Sequence, residues 1–470
     1  MSQENKTNAF NGMDLTCLGT SSGIPTLLRN TSAYMLRLGG RAWLFDCGEG
    51  TQKQLLNTKI HHSDVERIFI THMHADHVLG LPAMVLNKFM SRTKVACHEN
   101  TGIKNSTYAK MANRTRLEVS LLVFFYYLSP LKFALSHLSL SLSLSLSLSL
   151  SLSLSMQIFG PPGLFNFLGT ALQLTFTRFP EDFFITVYEL VGGHQEVLPT
   201  QIPDEQWVKP TFKCIQINKN EEDIWVLDEG KETMDARLTG PKKFDPNNTV
   251  EENKRILNNV LGAYRPIRVE AAEVKHNDGV QTFGYTLTEE DPLPKVDLEK
   301  LVKHKLSPGP KVAILKHMQP VLADDEKTVV KPEDVLILPG ARGRKVTILG
   351  DNSRASAAMR KIARRSDVVV HEATLPDELK NTAVKRRHST PSMAVDFAHA
   401  VNTKLLLLTH FSARSHPERN LHESLEKDQT YQNRVKKIIA TRDFMTVRIP
   451  HGGFNENDVQ CVGEDDEDKE

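Results

Sequence analysis

Residues 71–80 read THMHADHVLG. They follow VERIFI (65–70), an apolar run with the character of a buried strand, and lead into HVLGLPAMVLNKFM (77–90), whose apolar spacing suits a helix. His72, His74, Asp76 and His77 therefore form an HxHxDH pattern on one loop at a strand end. Three imidazoles and a carboxylate held this close would otherwise have to be desolvated together or repel one another when protonated. A divalent zinc ion resolves the conflict, because it pairs with neutral imidazole and carboxylate at about 2.0–2.2 Å. One loop cannot complete two tetrahedral sites, so further ligands are expected at later strand ends: His276 in EVKHN, Asp351 in LGDN and His410 in LTHF. Each has an ordinary reading as well, since an Asp after a strand often caps a helix and a His can simply pack. Their combination with HxHxDH points to a metal centre.

Working outward, the amino-terminal half reads as short strands: MDLTCLGT from Met13, then a hairpin of SAYMLRL and AWLFDCG around Gly39–Gly40. The later half alternates: strand RKVTILGD, helix SRASAAMRKIARRS, strand DVVVHEA, helix PSMAVDFAHAV, strand KLLLLTHF, a helix around RVKKIIA, and strand FMTVRIP. This is an α/β chain whose strands end in Asp and His.

With 470 residues and 40% hydrophobic content, the chain can bury a large core, either as two to three average domains or as one α/β domain with insertions. Net charge is only +1, so a polyanionic partner would have to be held by local patches. The five cysteines, at 17, 47, 97, 214 and 461, are odd in number and never spaced as CxxC, which argues against a disulfide framework. The polar segment 1–12 has neither an apolar signal core nor Arg-rich amphipathicity, so cytoplasm or nucleus is the expected location, without a membrane span. Segment 1–12 and the acidic tail 461–470 are expected to be disordered.

Residues 95–157 break the composition with an aromatic run, LLVFFYYL, and strict Ser-Leu alternation from Leu138 to Ser155. The alternation is too long for a natural strand, and Pro130, Lys132 and the serines interrupt any membrane span. A CT dinucleotide repeat encodes Ser-Leu in every frame, so this segment reads as a translated intron, bounded by Lys94 and Ile158. Amplifying the transcript across those residues tests it.

The motifs LGTSSGIP, FDCGEGTQ, THMHADH, TFGYTL, SPGP, LGDN, HEAT, HSTP and LLLTHFSAR run in the order found in tRNase Z. From about Met13 to His451 the chain resembles the short form of that family, in the metallo-β-lactamase superfamily. The resemblance implies an αββα four-layer sandwich over residues 13–460 with a protruding exosite arm, two zinc ions per subunit, a precursor tRNA substrate and a homodimer. It implies His72, His74 and His276 on one ion, Asp76, His77 and His410 on the other, and Asp351 between them.

Two zinc ions suit phosphodiester cleavage, because they generate a nucleophile at neutral pH and absorb charge in the transition state. Asp76 would then orient or deprotonate the attacking water, and Glu372 in HEAT would hold His388 in RHST protonated to serve the leaving oxygen. Taken without the family pattern, His388 reads as an exposed residue of the basic run KRRH. The long Lys- and Pro-rich stretch 285–345 is the expected arm, with Lys305, Lys311, Lys316, Arg342 and Arg344 as phosphate contacts. Where the family often has GDT and GHST, this chain has LGDN and RRHST. Two other readings stay open: another binuclear zinc hydrolase, acting on a thioester or lactam, and an inactive RNA-binding variant.

Overall fold

The computed structural model describes residues 12–38, 41–98, 155–175, 177, 183–193, 211–229, 265–414, 429–450 and 461–462. The Ser-Leu repeat up to residue 154 and the acidic tail from 463 lie outside these residues.

Two sheets stack face to face. The first runs, in spatial order, Cys461–Val462, Thr446–Arg448, Met13–Gly19, Ala33–Leu38, Arg41–Phe45, Val65–Phe69, Ser155–Gly160, Phe184–Val191 and Phe212–Asn218. The second runs Arg354–Ala355, Ile267–Lys275, Thr282–Glu289, Lys345–Leu349, Val368–Glu372, Leu405–Thr409 and Lys437–Ala440, with Trp225–Glu229 also paired to Ile267–Lys275. Between them lies a core drawn from both, including Trp43, Phe45, Phe69, Phe159, Tyr285, Ile348, Val370 and Leu407. A second cluster packs the first sheet against the helices Leu81–His98 and Leu164–Leu174. A third packs the second sheet against Ala357–Ala363, Pro391–Ala400 and Gln429–Arg434. Strands buried on both faces read as unbroken apolar runs, as Leu405–Leu408 does, and the layering is the expected αββα sandwich.

The helix expected around RVKKIIA divides instead. Gln429–Arg434 is helical, whereas Lys437–Ala440 is a strand paired in parallel with Leu405–Leu408. Two adjacent β-branched isoleucines favour the extended form, and pairing with a buried strand outweighs any helical periodicity.

The arm also begins later than position 285. Thr282–Glu289 is a full strand of the second sheet, with Tyr285 and Leu287 in the central core. The excursion between Glu289 and Lys345 holds the short helices Leu298–Lys303, Pro310–Lys316 and Pro332–Val335 and the pair Val321–Leu322 with Val329–Val330. Leu301, Leu306, Leu315, Ala323, Val330, Val335 and Leu336 give it a small core of its own.

At the low-complexity segment, Ser155, Met156 and Gln157 belong to a central strand, and Met156 is fully buried. A chain joined from Lys94 to Ile158 would have to rebuild the start of that strand from the residues before the junction. Cys461 and Val462, assigned by sequence to the tail, pair with Val447 and Thr446.

Candidate metal centre

Parallel strands leave their carboxyl ends at one edge, and the loops there carry the chemistry. Val65–Phe69 leads through Ile70 and Thr71 to His72 and His74, and the short helix Ala75–Val78 carries Asp76 and His77. Glycines let a second loop pack against this one. A Cβ on Gly48 would lie 2.2 Å from Thr31 Oγ1 and 2.3 Å from the Asp76 carbonyl oxygen. The Cys47 N–H donates to the His77 carbonyl and the Gly80 N–H to the Cys47 carbonyl, each at 2.8 Å.

His276 follows Ile267–Lys275, where Asn277, Asp278 and Gly279 turn the chain into Thr282–Glu289, with Gly279 at φ 85°. Asp351 and His410 follow the ends of Lys345–Leu349 and Leu405–Thr409.

All seven expected donors converge. His74 Nδ1 lies 3.0 Å from His72 Nε2 and 3.2 Å from His276 Nε2. His77 Nε2 lies 3.3 Å from His410 Nε2, and Asp76 Oδ2 is 3.2 Å from His410 Nε2. Asp351 stands between the groups, with Oδ1 3.5 Å from His77 Nε2, Oδ2 3.3 Å from His410 Nε2 and Oδ2 3.9 Å from His72 Nε2. Two nitrogens bound to one tetrahedral zinc at about 2.0–2.1 Å would stand roughly 3.3 Å apart, so this spacing fits shared ions. The donor set fits as well. Burial pushes the His72 imidazole well below its ordinary pKa and lowers those of His74 and His276, which keeps them neutral as ligands must be. Burial opposes ionisation of Asp351, but His410 and His77 outweigh it and hold the carboxyl well below the usual range.

On His77, His276 and His410 the ring nitrogen facing away from the centre is tied down. His77 Nδ1 lies 2.7 Å from Asp46 Oδ2, and Asp46 also accepts from the Thr71 N–H (2.8 Å) and hydroxyl (3.0 Å). Asp46 adopts φ 56°, a left-handed conformation uncommon outside glycine and asparagine. His276 Nδ1 is 2.9 Å from the Arg387 carbonyl, and His410 Nδ1 is 3.0 Å from Thr374 Oγ1. Such partners set which ring nitrogen faces the metal. Neither Asp46 nor Thr374 was singled out from sequence, although Asp46 lies in the quoted FDCGEGTQ and Thr374 in HEAT.

Beside the donors, Glu372 is 1% exposed and fully engaged. It accepts from the Asn352 N–H, the Ser389 N–H at 3.0 Å and the Thr374 hydroxyl, and both its oxygens lie 3.1 Å from His388 Nδ1. Burial disfavours the charged imidazole of His388, but the Glu372 carboxylate more than offsets this and raises it to about 9.

The expected phosphate contacts divide. Lys305 and Lys311 lie on the arm and pair with Asp325 (3.2 Å) and Asp324 (3.1 Å), while Lys316 is half-buried. Arg342 is engaged with Asp367 Oδ1 at 2.5 Å and the Arg365 carbonyl at 2.7 Å. Arg344 is not at a surface: it is 1% exposed, its Nε and Nη2 meet the two Glu289 oxygens at 2.8 and 2.6 Å, and Nη1 reaches the Ile449 carbonyl at 3.1 Å.

A family model described as anti-Pycsar protein Apyc1 matches residues 13–111, the part carrying HxHxDH. Over nearly its whole length the chain is similar to proteins named zinc phosphodiesterase ELAC protein 1. The bovine protein is 29% identical over 450 residues, covering 93% of this chain and 99% of its own, and the human protein is likewise 29% identical. Ribonuclease Z of a Picosynechococcus strain is 28% identical, covering 93% of this chain and 97% of its own. The crystal structure of human tRNase Z, short form, superposes with a TM-score of 0.50 at 24% identity, covering 93% of this chain and 100% of that one. The two-sheet layering is the fold of human tRNase Z, short form, and along nearly its whole length the chain is similar to the proteins named zinc phosphodiesterase ELAC protein 1 and ribonuclease Z.

Proposed function

We propose that the chain is a zinc-dependent endoribonuclease that removes the 3′ trailer from precursor tRNA, cutting after the discriminator nucleotide and leaving a 3′-hydroxyl on the tRNA. The observation that carries this is the full-length similarity to proteins named zinc phosphodiesterase and ribonuclease Z, in a chain whose seven donor side chains, following strands of both sheets, meet at one edge of the sandwich.

His72, His74 and His276 would hold one ion, Asp76, His77 and His410 a second, and Asp351 would serve both. Zinc, when bound, supplies Lewis acidity and lowers the pKa of water. The chain's own residues do the rest. Asp76 is anchored through Oδ2, which accepts the Gly23 N–H at 2.7 Å, leaving Oδ1 to orient the attacking water. Glu372 holds His388 through Nδ1, so Nε2–H is left to protonate the departing 3′-oxygen. By the same family reading the enzyme is a homodimer that works in the cytoplasm or nucleus. Among the described residues no helix is long and apolar enough to cross a membrane.

The test is 3′-trailer cleavage of a precursor tRNA by this chain and by a version joining Lys94 to Ile158, each with a His74→Ala control. Cutting that the control abolishes supports the assignment, and cutting by the shortened version alone adds support for the translated-intron reading. Two zincs bound without cleavage by either version would mean that the substrate is wrong.

A further inference from the structure

Next to the metal centre lies a cleft of about 560 Å³ that the proposed mechanism does not use. Its size falls in the range of roughly 300–1,000 Å³ typical of ligand-enclosing pockets. One wall is Glu273 to Thr282, which includes His276, and the other is Arg354 to Ala357 with Arg360. A strand passing the His276 side of the centre would enter it directly.

The charges in the cleft are unevenly satisfied. Glu273 accepts from Gln281 Nε2 at 2.8 Å, and Asp278 is paired with Arg387 at 3.3 Å. The exposed cations Lys275, Arg354 and Arg360 make no side-chain ion pair or hydrogen bond among the described residues. Lys275 and Arg354 are, moreover, direct cross-strand partners. Like charges placed opposite each other in a ladder destabilise it, so this pair opposes folding unless something negative sits between them. A solvated anion-binding track explains both the repulsive register and the missing partners.

We propose that this cleft holds backbone phosphates of the precursor RNA beside the bond to be cut, with Lys275 and Arg354 sharing one phosphate and Arg360 meeting the next. The proposal rests on the RNA-cleaving reading of the metal centre. It differs from an arm-mediated grip, because these residues lie on the catalytic sheet and on the helix that follows it.

The test compares the zinc-loaded wild type with Arg354→Glu/Arg360→Glu and with the charge-retaining Arg354→Lys/Arg360→Lys. The readouts are kcat and KM for a precursor tRNA across a potassium chloride series, binding of a labelled single-stranded RNA oligonucleotide by anisotropy, zinc content and the melting temperature. Charge reversal is expected to raise KM and weaken oligonucleotide binding about tenfold or more, and to flatten the log–log salt slope by about one to two. Zinc content should stay at the wild-type value, the melting temperature should hold or rise because Arg354→Glu turns the like-charged cross-strand pair into an opposite-charged one, and the lysine variant should retain most of the affinity. An unchanged KM and salt slope in the reversal variant overturns the proposal, as does an equal loss in the lysine variant. If the wild type binds the oligonucleotide through these residues but cuts no precursor tRNA, the cleft stands and the cleavage reading falls.

Discussion

Arg344 can be either a hand on the substrate or a strut of the fold, and one substitution separates the two. Arg344→Ala removes a guanidinium that is 1% exposed and leaves Glu289, 2% exposed, facing the space it occupied. The lost contacts include the bonds of 2.8 and 2.6 Å to the carboxylate and 3.1 Å to the Ile449 carbonyl. Removing one partner of a buried pair strands the other charge away from water, which costs about 3–5 kcal/mol. An exposed phosphate-contacting arginine would change stability by no more than about 0.5 kcal/mol. Urea unfolding of the zinc-loaded protein measures the difference directly. The companion Arg344→Met/Glu289→Leu replaces both charges by apolar groups and should recover most of the loss. Wild-type stability in Arg344→Ala, together with a raised KM for precursor tRNA, would refute the strut and restore the residue to the substrate.

Other substitutions probe the centre. Asp46→Ala removes the acceptor that turns His77 toward the metal, and zinc affinity measured by chelator competition should fall about 10–100-fold. His388→Ala should lower kcat on precursor tRNA by about 10²–10⁴ while metal analysis still finds the wild-type zinc content; parallel loss of zinc would show that His388 is needed to hold it. Gly48→Ala forces a Cβ to within 2.3 Å of the Asp76 carbonyl oxygen and should destabilise the protein by about 1–3 kcal/mol with weaker zinc retention, read by melting and metal analysis. Dialysis against a chelator should abolish cleavage, and added zinc should restore it.

The metal centre was legible because its signal is chemical and dense. Four candidate ligands, three His and one Asp, within six residues have few structural explanations, and the remaining donors sit where strands end. Features decided by distant partners were not legible. Lys437–Ala440 is a strand because Leu405–Leu408 lies beside it, and nothing within RVKKIIA announces that neighbour. Arg344 looked like a free cation in a basic run because its partner, Glu289, is 55 residues away in sequence. The arm's first residues proved to be strand for the same reason: Tyr285 and Leu287 are claimed by the central core. Asp46 escaped notice because its role is to aim an imidazole, a matter of direction that residue type and spacing do not encode.

The seven donors run from His72 to His410, so ions bound there would act as cross-links between distant stretches of chain. The longest span between consecutive donors joins His77 to His276, 199 residues apart, of which residues 95–157 contribute 63. Loop-closure entropy grows only with the logarithm of length, so in the unfolded chain those 63 residues add about 0.3 kcal/mol to the cost of bringing the two histidines together. A penalty that small shifts metal affinity by less than a factor of two. A full-length chain that fails to load zinc, beside a shortened one that loads it, would therefore have been diverted on its folding route, with ring closure at the centre contributing almost nothing to the failure.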